Sequence, residues 1–212
     1  MLRHARVDLA LHELRAGTGR PLLLLHGLGE SSPEKVPATV ESWNGPVHAL
    51  DFTGHGRSSI TVGGGYTPEV LMADVSTALD HLGTATLLGR GLGGYVALLA
   101  AGARAADVGG TIICDGSGLL GAGPVPGSAV IVHVEADAPT PPDPFALAEL
   151  SQDVRPGDYA TSFVRQATHL SALAEPICVC ATSRPPWLEA VAAEPGVRVT
   201  SLAAALALYG AD

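Results

Sequence analysis

A protein that attacks an acyl carbon without a metal needs a nucleophile, a general base beside it and an acid to orient that base. The sequence offers few ways to assemble the three. Ser117 sits in Gly116-Ser117-Gly118, but no helix follows at the distance that would present its hydroxyl at a helix start. Asp115 follows the apolar run that ends at Cys114, and Asp137 closes Val132-His133-Val134-Glu135-Ala136-Asp137. No histidine occurs after His169. Metal chemistry has no scaffold here, since there is no CxxC, no HExxH and no Cys/His cluster, so neither a metal nor a cofactor is expected. Cys178 and Cys180 are two apart in a strand and share a face, so they do not bridge each other, and the three cysteines are expected as reduced thiols.

The balance of residues narrows the partners. With 12 basic against 21 acidic residues the formal net charge is −9, and only Lys35 is a lysine. A phosphate-tracking surface and a polybasic membrane anchor are both excluded by that balance. Leu22 to Leu25 and Leu202 to Leu208 are too short to span a bilayer, and the start lacks the apolar stretch of a signal peptide. A cytoplasmic protein without nucleic-acid or membrane partners is expected; a small-molecule ligand is the partner this reading allows, and the oligomeric state is left open. Gly and Pro, 26 and 16 of 212 residues, make up about a fifth of the chain against a usual ~12%, which points to many turns in one compact domain.

Short apolar runs alternate with helical stretches, the pattern of an α/β chain whose mostly parallel sheet is covered on both faces. Val7 to Leu14 alternates as an antiparallel strand or hairpin. Pro21 to Leu25 and Val47 to Phe52 read as buried strands. Thr67-Pro68-Glu69 supplies a cap, a first-turn proline and an early acid, and Val70, Leu71, Val75, Ala78, Leu79 and Leu82 mark one helix face before Gly83 ends it. Thr84 to Leu88 is the next strand, Gly89 to Gly94 a turn, Tyr95 to Ala106 a buried helix and Gly110 to Cys114 another strand. Further strands are expected at Ala129 to Val134, Pro176 to Ala181 and Val197 to Thr200, with helices around Phe145 to Leu150, Tyr159 to Leu173, Pro185 to Ala193 and a last one reaching Tyr209. Residues 1–115 and 175–212 are read as the core and 116–174 as a lid or insertion.

Three segments in this order resemble the α/β-hydrolase fold family: a strand followed by His26-Gly27-Leu28-Gly29, then Asp51-Phe52-Thr53-Gly54-His55-Gly56-Arg57-Ser58, then Leu88-Gly89-Arg90-Gly91-Leu92-Gly93-Gly94-Tyr95. The likeness runs from Leu22 to about Cys114 and is closest to the esterase, lipase, epoxide hydrolase and carbon–carbon bond hydrolase branches. It implies a nucleophile on a sharp strand-to-helix turn, with the Leu28 and Leu92 N–H groups as oxyanion donors and Gly27 and Arg90 beside them.

This sequence departs from that pattern where the chemistry is heaviest. Gly91 stands at the nucleophile position and has no side-chain atom to attack with. The histidine expected after the last strand is missing, which leaves His169 in the expected lid as the remaining candidate base, while Asp115 and, more weakly, Asp137 stand where the resemblance implies the acid. The reading is therefore a catalytically degenerate hydrolase homologue that binds a small apolar or acyl ligand, or a partner, in the old cleft. Two alternatives stay open: an active ester, epoxide or C–C bond hydrolase or lyase using the Leu28/Leu92 amides with Asp115 and water, and a structural or regulatory protein acting through its surface.

Overall fold

The computed structural model describes residues 1–4, 6–119, 141–151 and 155–210; Asp137 and the strand expected at 129–134 lie outside these described residues. A short hairpin, β1 (Leu2–His4) and β2 (Val7–Leu9), stands apart from the main sheet. That sheet holds β3 (Leu11–Arg15), β4 (Leu22–Leu25), β5 (Val47–Leu50), β6 (Ala85–Arg90), β7 (Val108–Cys114), β8 (Ile177–Val179) and β9 (Val197–Val199), in the order β3-β5-β4-β6-β7-β8-β9. Only β3 runs antiparallel, against β5. From β4 the chain moves one way to β5, then returns past it to β6 on the other side. The crevice at the carboxyl ends of β4 and β6 is thus the topological switch point, where open α/β sheets bind ligands.

The helices are α1 (Pro68–Leu82), α2 (Leu92–Ala103), α3 (Pro144–Glu149), α4 (Tyr159–Leu170), α5 (Pro186–Ala192) and α6 (Leu202–Tyr209). In α1, the Thr67 hydroxyl accepts from the Val70 N–H at 3.3 Å, Pro68 fills the first turn and Gly83 ends the helix at φ 77°. Its Leu71, Val75, Ala78 and Leu79 are buried on one face. By contrast α2 is apolar all round and almost wholly buried, as a helix through the middle of a core must be. It starts at Leu92, three residues ahead of the expected Tyr95, because Gly91 alone makes the turn.

Strand alternation sorts the core into two layers. Leu23, Leu25, Leu87 and Ile113 face α1, α2, α4 and α5. Leu22, Leu24, Leu88 and Ile112 face the other way, toward Val40, Trp43 and α6. Four helices cover the first face, while the second has α6 and the β4–β5 connection, whose one helical piece is a 3-10 turn at Ala38–Val40. The stretch read as a lid divides. Ala160, Val164 and Ala167 of α4 belong to the main cluster, and Phe163 packs on Gly102 of α2, so α4 is the crossover helix leading to β8. Residues around α3 instead hold the loop before α1: Glu149 accepts from the Gly65 and Tyr66 N–H groups at 2.9 and 2.6 Å, and the Tyr66 hydroxyl donates to Asp143 at 2.6 Å.

Burial on α1 sets a measurable contrast. Leu79→Ala removes a side chain 1% exposed in the main core and is expected to cost about 2–5 kcal/mol. Asp80→Ala, which breaks only a surface pair with Arg104 at 2.7 Å, is expected to stay within about 1 kcal/mol. Urea unfolding of the two variants reads the difference.

Candidate functional site

The site is built where β6 turns into α2. Gly91 caps α2 with φ 50° and ψ −116°, a backbone that L side chains rarely adopt and that glycine accepts without strain. The turn points the Leu92 N–H into the crevice, and the loop after β4 brings the Leu28 N–H to the same point. Both donate to one acceptor, the backbone carbonyl of Ser117, at 2.8 Å from Leu92 and 3.0 Å from Leu28. The pair of amides that the sequence suggests as an anion cradle is filled by the chain's own carbonyl.

The segment 116–118 is fitted to that task. A Cβ on Gly91 would overlap the Ser117 carbonyl oxygen and the Gly116 carbonyl group, so the space a nucleophile's side chain would use holds backbone. Gly118, at φ 101°, passes between Leu28 and Leu92, where a Cβ would come within 2.8 and 2.9 Å of their Cβ atoms. The Ser117 hydroxyl turns away and donates to the Leu28 carbonyl at 2.7 Å. The free volume beside Gly91, lined by Cys114, Asp115, Ser183 and Trp187 among others, is about 10 Å³, close to the least that holds one water.

Around this plug the polar residues hold loops together. Glu30 accepts from the Gly27 N–H at 3.1 Å and from the Arg90 guanidinium at 3.0 Å, and Arg90 also donates to the Asp115 carbonyl at 3.3 Å. Arg90 and Gly27 therefore meet through Glu30, a residue to which the sequence motifs draw no attention. The Asp115 carboxylate accepts from the Thr182 N–H and hydroxyl and from the Ser183 N–H, at 2.8 to 3.1 Å, and so ties the β7 end to the loop after β8. Burial disfavours its charge, but these donors outweigh that and hold its carboxyl below the usual range. An acid in that state is a poor acceptor for a substrate or water proton.

His26 is committed elsewhere. His26 is 6% exposed; one ring nitrogen lies 2.7 Å from the Gly27 carbonyl and the other accepts the Phe52 N–H at 3.1 Å, so the ring is neutral with both nitrogens used. Burial, and then the neighbouring His55 ring at 5.0 Å, lower its pKa from 6.5 to about 4. Burial likewise lowers that of His55. His169 is exposed in the last turn of α4, which leads into the start of β8, while Gly91 lies where the strands end. The fold does not bring His169 to Gly91.

The second motif proves to be a staple. Asp51 accepts from the Ser32 and Arg57 N–H groups at 2.7 and 2.8 Å and pairs with His12 at 2.9 Å. Thr53 gives its N–H and hydroxyl to Asp74 of α1 at 2.9 and 3.0 Å, and the Ser58 hydroxyl donates to the Asp51 carbonyl at 2.6 Å. At the sheet's far side all three cysteines are free thiols. Cys114 at the end of β7 and Cys180 just past β8 are brought together by the parallel pairing of the two strands, and each shifts the other's pKa, Cys114 downward and Cys180 upward; this proximity depends on strand order and is invisible in their spacing.

A family model described as "Alpha/beta hydrolase family" matches residues 22–211. Among solved structures, a thermophilic esterase from Thermogutta terrifontis, solved with malate bound, is similar at a TM-score of 0.55 and 22% identity, over 93% of this chain and 86% of that one. A membrane phospholipase A described as a bacterial virulence factor gives 0.51 at 17% identity, over 93% and 76%. Est816, an N-acyl homoserine lactone degrading enzyme, gives 0.44 at 22% identity over 56% of this chain, which spans 46% of that protein. At these identities the first two likenesses show the fold. Among the described residues no helix is long and apolar enough to cross a membrane.

The buried imidazole makes acid sensitivity a test of the site. Unfolding raises the His26 pKa from about 4 to its ordinary 6.5, so the unfolded chain takes up the proton first as pH falls. His26 therefore contributes stability that is present above pH 6.5 and lost as pH falls toward 4, about 3 kcal/mol for a shift of this size. Denaturant titrations between pH 7 and 4 should show a shallower fall for His26→Gln than for the parent protein.

Proposed function

Because the chain belongs to the alpha/beta hydrolase family, we propose that it is a catalytically degenerate member, one that acts by binding a small apolar or acyl ligand, or a partner, and not by ester hydrolysis. The observation that supports this reading is the Ser117 carbonyl seated on both the Leu28 and Leu92 N–H groups. An acyl substrate's oxygen needs those two donors, and it finds them already satisfied by an acceptor from the chain itself. The nucleophile position is glycine, its side-chain space is backbone, and Asp115 is spent on a loop. A triad stripped of its members forfeits on the order of 10⁶ in turnover.

The reading differs from a simple missing serine. Had serine alone been lost, an oxygen restored at position 91 would find a cradle and a base waiting. Among the described residues it meets neither. A ligand in the crevice has either to displace the Ser117 carbonyl or to lodge beside it, on the side where Glu30 and Arg90 form the wall.

Two measurements check the proposal. A fluorophosphonate probe should leave the protein unlabelled, and short-chain aryl esters should turn over no faster than with a heat-treated control; stoichiometric labelling would overturn it. Gly91→Ser should restore no hydrolysis and should destabilise the fold by at least about 1–3 kcal/mol, since it adds both a strained φ and an overlap with the backbone at 116–117.

A further inference from the structure

Among the described residues the two faces of the sheet are covered unequally, and the gap lies over its centre. Parallel neighbours are ordinarily joined by a crossover containing a helix. The β4–β5 connection, residues 26–46, has only the 3-10 turn at Ala38–Val40, yet it is well anchored: the Ser32 N–H donates to Asp51 at 2.7 Å, the Leu22 N–H to the Pro46 carbonyl at 2.9 Å and the Trp43 indole to the Arg20 carbonyl at 3.2 Å. Between this loop and the sheet is a cavity of about 450 Å³. That is within the range of small-molecule sites.

Its floor is the register-matched pair Leu24 and Leu88 on the two central strands. These are 7% and 6% exposed, whereas Leu22, Leu23 and Leu87 on the same strands are fully shielded, so the floor faces open space and not packed side chains. Pro33, Pro37 and Val40 form the opposing wall. Toward Gly91 the cavity ends at Arg90, Glu30 and His26. Arg90 and Glu30 neutralise each other at 3.0 Å, and the His26 ring has both nitrogens engaged. The lining is thus mostly apolar, with the Ser31, Ser32 and Thr39 hydroxyls as its uncharged polar groups and no unbalanced charge. A charged occupant would lose its hydration with no counter-ion to receive it, and a strongly polar one would carry more groups than these three hydroxyls can pair.

We infer that this cavity, between the central strands and the helix-poor loop at 26–46, is a binding site for a compact, uncharged, predominantly apolar organic molecule. The inference rests on the reading that the protein works by binding, and it gives that reading a location away from the plugged turn. Its occupant gains chiefly by removing apolar surface from water against Leu24, Leu88 and Val40.

The test uses the full chain and two dyes of similar size. N-phenyl-1-naphthylamine, which is neutral, should give a saturable one-to-one fluorescence rise, and the anionic 1-anilinonaphthalene-8-sulfonate should bind at least tenfold more weakly. Pro33→Trp and Leu88→Phe fill the cavity from opposite walls, so if one variant fails to fold the other still decides; each should weaken the neutral dye at least tenfold. Gly157→Trp, whose added Cβ meets nothing within 4 Å, fills a separate cavity of about 260 Å³ lined also by Leu119, Arg155 and Trp187, and should leave binding unchanged. The inference is overturned by a linear, unsaturable signal, by equal affinity for the anionic dye, or by loss of binding in Gly157→Trp with retention in a folded cavity-filled variant. A dimer in light scattering that the neutral dye disperses would assign the cavity to a second copy of the chain and would equally overturn it. Because hydrolysis assays read the Gly91 turn and dye binding reads the loop cavity, either result can fail without the other.

Discussion

Two backbone N–H groups left over at a loop and at a helix start must find an acceptor once the crevice closes over them, because a buried donor without a partner costs on the order of a lost hydrogen bond. In this protein the acceptor is the Ser117 carbonyl, and the neighbouring choices follow from it. Position 91 has no Cβ because backbone occupies its place. Position 118 has none because the strand must thread between Leu28 and Leu92. Glu30 and Arg90 then fasten the loop after β4 to the end of β6, and Asp115 fastens the end of β7 to the loop after β8. A reactive crevice would keep these donors idle until substrate arrived; here the fold has already used them.

The same economy is visible in the titratable groups. His26, His55, Asp51 and Asp115 all have shifted pKa values, and shifted values gather at active sites. Here each shift goes with a structural duty: a buried ring bonded on both sides, a ring packed beside it, and two carboxylates satisfied by backbone N–H groups. All four shifts run downward, so among these groups no two have their pKa values driven apart in the way that acid and base roles require. Perturbation alone therefore does not mark catalysis in this molecule.

Much of the frame was legible in the sequence because it is local. Thr67-Pro68-Glu69 and Gly83 bracket α1 as the capping rules expect, and the runs at 22–25 and 47–50 are strands because only strands so short are buried on both faces. What stayed hidden depends on distant segments meeting. Ser117 draws notice for its hydroxyl, yet its carbonyl is the group that matters, and no local pattern says where a carbonyl will point. Glu30 lacks any motif; it is found only once Gly27 and Arg90 stand on either side of it. The placement of α4 as a crossover helix, and the lone 3-10 turn at 38–40, follow from the order of the strands, which short-range periodicity does not encode.

The outer strands add a consequence for how such molecules behave in a crowd. The sheet is bounded on one side by β3, with Glu13 and Arg15, and on the other by β9, only three residues long, with half-exposed Val199 and the Arg198 guanidinium held by Glu175 at 3.0 Å. An unpaired strand invites another chain to extend the ladder. At β9 the invitation is brief, since a newcomer would gain few bonds before running out of template, and it would have to accommodate an ion pair at the midpoint. Brevity and charge at its rims thus discourage edge-to-edge extension of a sheet with so apolar a centre.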